Sequence, residues 1–206
     1  MAEINQSECE ARRSILMAAR TRFLHYGYKK TTIDEIACDA GVGKGSVYLH
    51  FSSKEDILLT IARDVKRSVT LQMQAIAASL AKPEEKLRRM VLAKIITVHD
   101  AVFSTTHGID IVDDMMHPKV MECGRAEHEA QTVILAGVLR EGEAKGDFSL
   151  RGQDPVEVAR LFSLAYMSFF PPYLTGCHAG NGHCQKRLEA SVSQMTDFLL
   201  AGLSRR

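Results

Sequence analysis

The stretch Thr31-Thr32-Ile33-Asp34-Glu35-Ile36-Ala37-Cys38-Asp39-Ala40-Gly41-Val42-Gly43-Lys44-Gly45-Ser46-Val47-Tyr48-Leu49-His50-Phe51 reads as helix, tight turn, helix. Thr32 followed three residues later by Glu35 is a capping-box pattern, which satisfies the first free N–H groups of a helix. Ile33, Ile36, Ala37 and Ala40 then give that helix one apolar side. Gly41 supplies the left-handed backbone that ends it, and a second short helix is expected from about 43 to 49. Val42, Val47 and Phe51 fall on the inward side. Lys44, Ser46, Tyr48 and His50 fall outward, beside the bare backbone of Gly45. Hydrogen-bond donors, a gap with no side chain and an aromatic ring on a short helix are what reading the DNA major groove requires.

Working outward, everything readable is helical. A first helix over about 14–26 places Ile15, Ala18, Ala19, Phe23 and Tyr26 on one face, with Arg22 the single charged intruder, and Gly27 stops it. Three short helices enclose little core, so this unit must lean on the chain beyond it. Ser52-Ser53 before Lys54-Glu55-Asp56 marks the start of a long helix reaching about residue 80. Pro83 opens the next, whose stripe is Leu87, Met90, Val91, Ile95, Val98 and Val102. Pro118 opens a helix expected to run unbroken to about residue 145, with Gly146 at its end. Asp154-Pro155 starts a helix over 155–170 that is apolar nearly all round, with only Glu157 and Arg160 charged. Pro171-Pro172 stops it, and a last helix over about 185–203 carries Leu188, Val192, Met195, Leu199 and Leu203. A helix apolar on all sides needs burial on two of them. The last two helices therefore predict a homodimer made by helix packing.

The 206 residues are 46% hydrophobic and 25% charged, enough to bury a core. The longest uncharged apolar run, 161–173, is too short to span a bilayer, and the polar N-terminus lacks a signal-peptide pattern. A soluble, cytoplasmic chain with no membrane partner is expected. Five scattered cysteines exclude a disulfide framework. The net charge of +1 hides an asymmetry: residues 11–54 hold eight Lys/Arg against three acids, or +5, and the rest sums to −4. An anionic partner for the N-terminal part is implied. No nucleophile elbow, phosphate loop, zinc-protease motif or dinucleotide fingerprint occurs, so neither an enzyme nor a cofactor is expected.

Taken together, Ile15-Leu16, Ala18-Ala19, Phe23, Gly27-Tyr28, Thr31-Thr32, Ile36-Ala37, Ala40-Gly41-Val42, Lys44-Gly45-Ser46, Tyr48, His50-Phe51, Ser53-Lys54-Glu55 and Leu58 resemble the tetracycline-repressor (TetR) family over about residues 10–60. The resemblance implies an all-α chain with a three-helix DNA-binding domain over 1–56. A larger helical effector-binding and dimerisation domain would occupy 57–206. It implies a one-component regulator, usually a homodimeric repressor that leaves a palindromic double-stranded operator when a small molecule binds. Carried over by position, Lys44, Gly45, Ser46 and Tyr48 match the groove-facing part of the recognition helix. Thr32, Tyr48, His50 and Lys54 match phosphate-contacting positions. Position 44 varies in the family, so Lys44 is consistent with guanine reading but does not reveal the operator.

Beyond residue 60 the chain resembles no subclass, and a pocket is inferred from residue type. His99, Phe103, His107, Asp110, Met115, Met116, Phe162, Tyr166 and Phe169 are the candidate lining. An inward-facing acid among Asp110, Asp113 and Asp114 would favour an amine-bearing ligand. A cavity of several hundred cubic ångströms would speak against a purely architectural DNA-binding dimer. Cys177, His178, His183 and Cys184 form a CH-x4-HC pattern in a glycine-rich loop; its spacing matches no familiar zinc site, so no metal is assigned, and metal or thiol sensing stands as an alternative.

Overall fold

The computed structural model describes the backbone of residues 2–103, 118–170 and 182–203, and the side chains of these except 2–7, 103, 121 and 182–184. The described residues form helices and no strand. They are α1 (Ala2–Tyr26), α2 (Ile33–Ala40), α3 (Lys44–His50), α4 (Lys54–Ala77), α5 (Pro83–Phe103), α6 (Pro118–Cys123), α7 (Arg125–Lys145), α8 (Pro155–Ala165) and α9 (Gly182–Leu203), with a 3₁₀ turn at Met167–Phe169. None is long and apolar enough to cross a membrane. The chain divides into two compact units, Met1–Asp64 with Val102–Cys123, and Val65–Ala101 with Gly124–Arg206.

In the first unit, Ile15, Ala19 and Phe23 of α1 meet Ile36 and Ala37 of α2, Val47 of α3, and Phe51, Ile57, Leu58 and Val120 in one buried cluster. The unit thus draws on the start of α4 and on α6 for a core that α1–α3 alone could not close. Arg22, the charged residue on the inner face of α1, is not stray. Its Nε and Nη2 donate to Asp39 at 2.6 and 3.0 Å, and its Nη1 lies 3.0 Å from Glu35. The fork clamps α1 to α2.

The second unit is built around Val69, Met73, Leu87, Met90, Ile95, Leu135, Leu139, Val158, Phe162, Leu188 and Val192. Lys86, buried, reaches Glu141 at 2.9 Å, and Lys145 holds the other oxygen of the same carboxylate at 2.6 Å. Tyr166 donates to Thr196 at 2.7 Å, tying the end of α8 to α9.

Three boundaries differ from the sequence reading. Helix α1 begins twelve residues earlier than expected. The helix expected from Pro118 to about 145 is two, broken at Gly124, where the Lys66 side chain fills the space a Cβ would need. Apolar spacing continues through the break and cannot reveal it. The helix expected over 155–170 ends at Ala165. The Tyr166 N–H then bonds to the Phe162 carbonyl and the next residues tighten into the 3₁₀ turn.

Candidate nucleic-acid interface and effector cavity

Helix α2 is capped as its sequence demands. The Glu35 N–H donates to Thr32 Oγ1 at 3.3 Å, and the Thr32 N–H donates back to the Glu35 carboxylate at 2.8 Å. The Thr32 N–H and the Thr32 hydroxyl, which donates to the same carboxylate oxygen at 2.9 Å, hold Glu35 below the usual carboxylate range ahead of the weaker field of Arg22, and the Arg22 hydrogen bond does the same for Asp39. At the far end Gly41, at φ 68°, closes the helix in the left-handed region. That turn aims α3. Val47 is fully buried, so the rest of this seven-residue helix is turned outward. Tyr48 is 51% exposed and Leu49 85% exposed, Gly45 is exposed, and His50 and Ser46 are half-buried. A Cβ at Gly45 would meet nothing within 4 Å, so the bare backbone there serves no packing within the chain.

Two of the lysines have protein partners. Lys44 Nζ lies 2.9 Å from Asp34, and this pair raises the Lys44 pKa. Both groups are exposed, so water and salt screen the pair and it separates readily. Lys54 is held more firmly: its Nζ donates to the carbonyls of Tyr28 and Thr31, both at 2.8 Å, and lies 4.4 Å from the centre of the Tyr28 ring. It gathers the loop between α1 and α2 that presents Thr32. Arg20, Lys29 and Lys30 are exposed on the same unit.

The second unit contains a cavity of about 30 Å³ among α4, α5, α7 and α8, room for one or two waters. Met73, Met90, Leu135, Phe162, Tyr166 and Phe170 form its apolar wall, and Lys94, Gln131 and Ser163 its polar part. Burial pulls the Lys94 ammonium down to about 8. Burial, and next the Lys94 charge, also pull His128 below the usual histidine value, with Lys66 and Glu129 contributing less and in opposite directions.

The sequence over residues 15–61 matches the family described as bacterial regulatory proteins, tetR family. Residues 15–61 form a tetR-family domain. Along more of its length the chain is 28% identical to the transcriptional repressor KstR2 of Mycolicibacterium smegmatis, covering 72% of this chain and 73% of that one. It is also 28% identical to the transcriptional repressor BepR of Brucella suis, covering 82% and 83%. The fold is shared with the regulator FadR of Bacillus subtilis, solved in complex with stearoyl-CoA, at TM-score 0.67 and 21% identity over 93% of this chain and 98% of that one. Both of these relatives, KstR2 and BepR, are named transcriptional repressors.

Of the pocket residues expected from sequence, Phe162 and Tyr166 line the cavity. Phe169 is half-buried with its ring 6.0 Å from Tyr166, and His99 pairs with Asp100 at 3.3 Å instead of lining it. His107, Asp110, Met115, Met116, Asp113, Asp114, Cys177 and His178 lie outside the described residues, as do the side chains of Phe103, His183 and Cys184. The cavity is also far smaller than several hundred cubic ångströms. Lys94 was missed, although it was findable: it sits four residues after Met90 and seven after Leu87, in register with the buried stripe of α5.

In this tetR-family domain Lys54→Met keeps the aliphatic stem but leaves the Tyr28 and Thr31 carbonyls without their donor. A loss of about 1–2 kcal/mol in urea unfolding is expected, with weaker binding to every DNA sequence. Unchanged stability would mean that the ammonium is not what orders the loop.

Proposed function

We propose that the chain represses transcription as a homodimer seated on an inverted repeat of double-stranded DNA, and is released when a small molecule enters the cavity of the second unit. The observation that carries this reading is the presentation of α3: its one buried residue, Val47, fixes the helix so that Lys44, Gly45, Ser46, Tyr48 and His50 lie along its outer side. Thr32 and Lys54 flank it, and the surrounding segment carries the excess of positive charge. In this reading Lys44 exchanges Asp34 for a base edge, Tyr48 and His50 reach the backbone, and Thr32 meets a phosphate at the N-terminus of α2. Relatives named repressors, and a neighbour of the same fold solved with stearoyl-CoA, support repression and an effector. The alternative of metal or thiol sensing through the loop at 177–184 has no described observation in its favour.

The dimer is supported by the last two helices. Leu161 and Leu164, three apart on α8, are 57% and 64% exposed, and Phe198 on α9 is 76% exposed. The small exposed residues Ser191, Ala201 and Gly202 share the α9 face with Phe198 and let a second helix approach closely. This face takes a second copy of the chain. Leu161→Glu with Leu164→Glu should convert a dimer into a monomer by light scattering at about micromolar concentration. Operator affinity should fall with it, because a monomer holds one half-site. A double variant that stays dimeric would place the interface elsewhere, and a monomeric wild-type chain that still holds a palindrome tightly would overturn the dimeric reading.

A further inference from the structure

Resting on the reading of this cavity as an effector site, we propose that its ligand is an apolar molecule bearing a single carboxylate, with the Lys94 ammonium as the counter-ion. Lys94 is the one charged group among the described residues that line the cavity, and none of them is a carboxylate. Among the described residues no hydrogen bond or ion pair to its ammonium is found; its Nζ lies over the Phe170 ring, 6.0 Å from the centroid. Beyond the wall stands His128 of α7, which burial and the Lys94 charge hold toward its neutral form; Lys66 and Glu129 around it carry opposite charges, so the Lys94 charge remains as the local excess. The other polar groups are largely committed. Gln131 donates to the Lys66 carbonyl and to Thr70, and Tyr166 donates to Thr196, which leaves Ser163 as a second donor to a carboxylate oxygen.

The rest of the wall is methionine, leucine and aromatic, which fixes the body of the ligand as apolar. Met73, Met90 and Phe170 would have to move to admit it, and unbranched methionines re-pack readily. An amine would set a second cation against Lys94, and an alcohol would leave the ammonium as poorly solvated as before. A carboxylate restores to the ammonium the partner that burial denies it. The desolvation that depresses the Lys94 pKa is what such an anion would relieve. The same chemistry could come from a free acid or from a coenzyme A thioester, whose charge lies away from its acyl end. The lone lysine in an apolar wall favours the free acid.

The test uses the full chain and matched probes: octanoate, 1-octanol, octylamine and octanoyl-CoA, with 4-phenylbutyrate and 4-phenyl-1-butanol as a second body shape. Binding is read by calorimetry and operator release by fluorescence anisotropy in the same samples. In at least one body shape the acid should bind about tenfold or more tighter than its alcohol, with the amine weakest. Lys94→Met should remove that preference while leaving alcohol binding in place, and Lys94→Arg should retain it. The acid should lose about tenfold or more between roughly pH 7 and pH 9.5, where the lysine gives up its proton, and the alcohol should not. Equal binding of acid and alcohol, a preference that survives in Lys94→Met, tightest binding by octanoyl-CoA, or no binding by either acid would each overturn the proposal. Alcohols that release operator as well as acids do would leave the effector reading standing without the Lys94 anchor. Acids that bind through Lys94 and release nothing would leave the anchor and overturn the effector reading.

Discussion

Gly45→Ala should melt no lower than the wild-type chain and yet bind its operator at least about tenfold more weakly, a loss of about 1.4 kcal/mol or more. The two halves of this expectation have separate causes. Gly45 lies in the first turn of α3 with open space where a Cβ would stand. A methyl group there clashes with nothing and lowers the entropy of the unfolded chain, so it stabilises the free protein by up to about 0.5–1 kcal/mol. The same methyl group projects from the outer side of α3, between Lys44 and the exposed Tyr48. If that side approaches DNA closely, the methyl group must push the helix out of the groove, which lengthens every contact around it. Differential scanning fluorimetry and anisotropy on one preparation separate the effects. Unchanged affinity would remove the bare backbone at Gly45 from the interface.

Lys94→Met should make the ligand-free chain more stable near neutral pH, by about 2 kcal/mol. Lys94 titrates at about 8 in the folded chain against an ordinary lysine value of 10.5. Each unit of such a difference corresponds to about 1.4 kcal/mol, and the partial exposure of the side chain reduces the total. The sign comes from proton counting. Between the two values the unfolded chain binds more protons than the folded one, so the stability of the wild type rises with pH across this window. The full penalty is present below pH 8 and gone above 10.5. Groups that Lys94 does not touch cancel in the difference; His128, which the Lys94 charge lowers, titrates higher in Lys94→Met, an effect confined to the acid side of this window. Methionine is close to lysine in volume and suits the apolar wall. Urea unfolding at several pH values should therefore show the advantage of Lys94→Met shrinking as the pH rises through 8. A variant less stable at neutral pH, or an advantage independent of pH, would mean that the lysine is already paired.

The sequence is legible where local chemistry dominates. The Thr32–Glu35 capping box, the left-handed Gly41 and the Asp154-Pro155 start are set by residues within four positions of one another, and each is found where its pattern places it. The buried stripe of α5 also obeys its spacing, with Leu87, Met90, Val91, Ile95 and Val102 all buried. The features that escaped depend on residues far apart in the chain. At the Gly124 break the Lys66 side chain occupies the space a Cβ would need, and the apparently misplaced charge of Arg22 is explained by Asp39. Lys94 shares the register of Leu87 and Met90, but its place in the cavity wall depends on α7 and α8. The candidate site residues obey the same rule. The outer side of α3 was legible because a single short helix defines it, whereas the cavity takes its lining from four helices.

The most direct measurement of the central claim is a selection of duplexes from a random DNA pool by the full chain, with a hydroxyl-radical footprint on the selected sequence. The account predicts an inverted repeat with two protected half-sites on one face of the duplex, their centres about one helical turn, or 34–36 Å, or a multiple of it, apart. Protection should weaken steeply as salt is raised. Enrichment of no sequence, or a single protected patch without inverted symmetry, would contradict it.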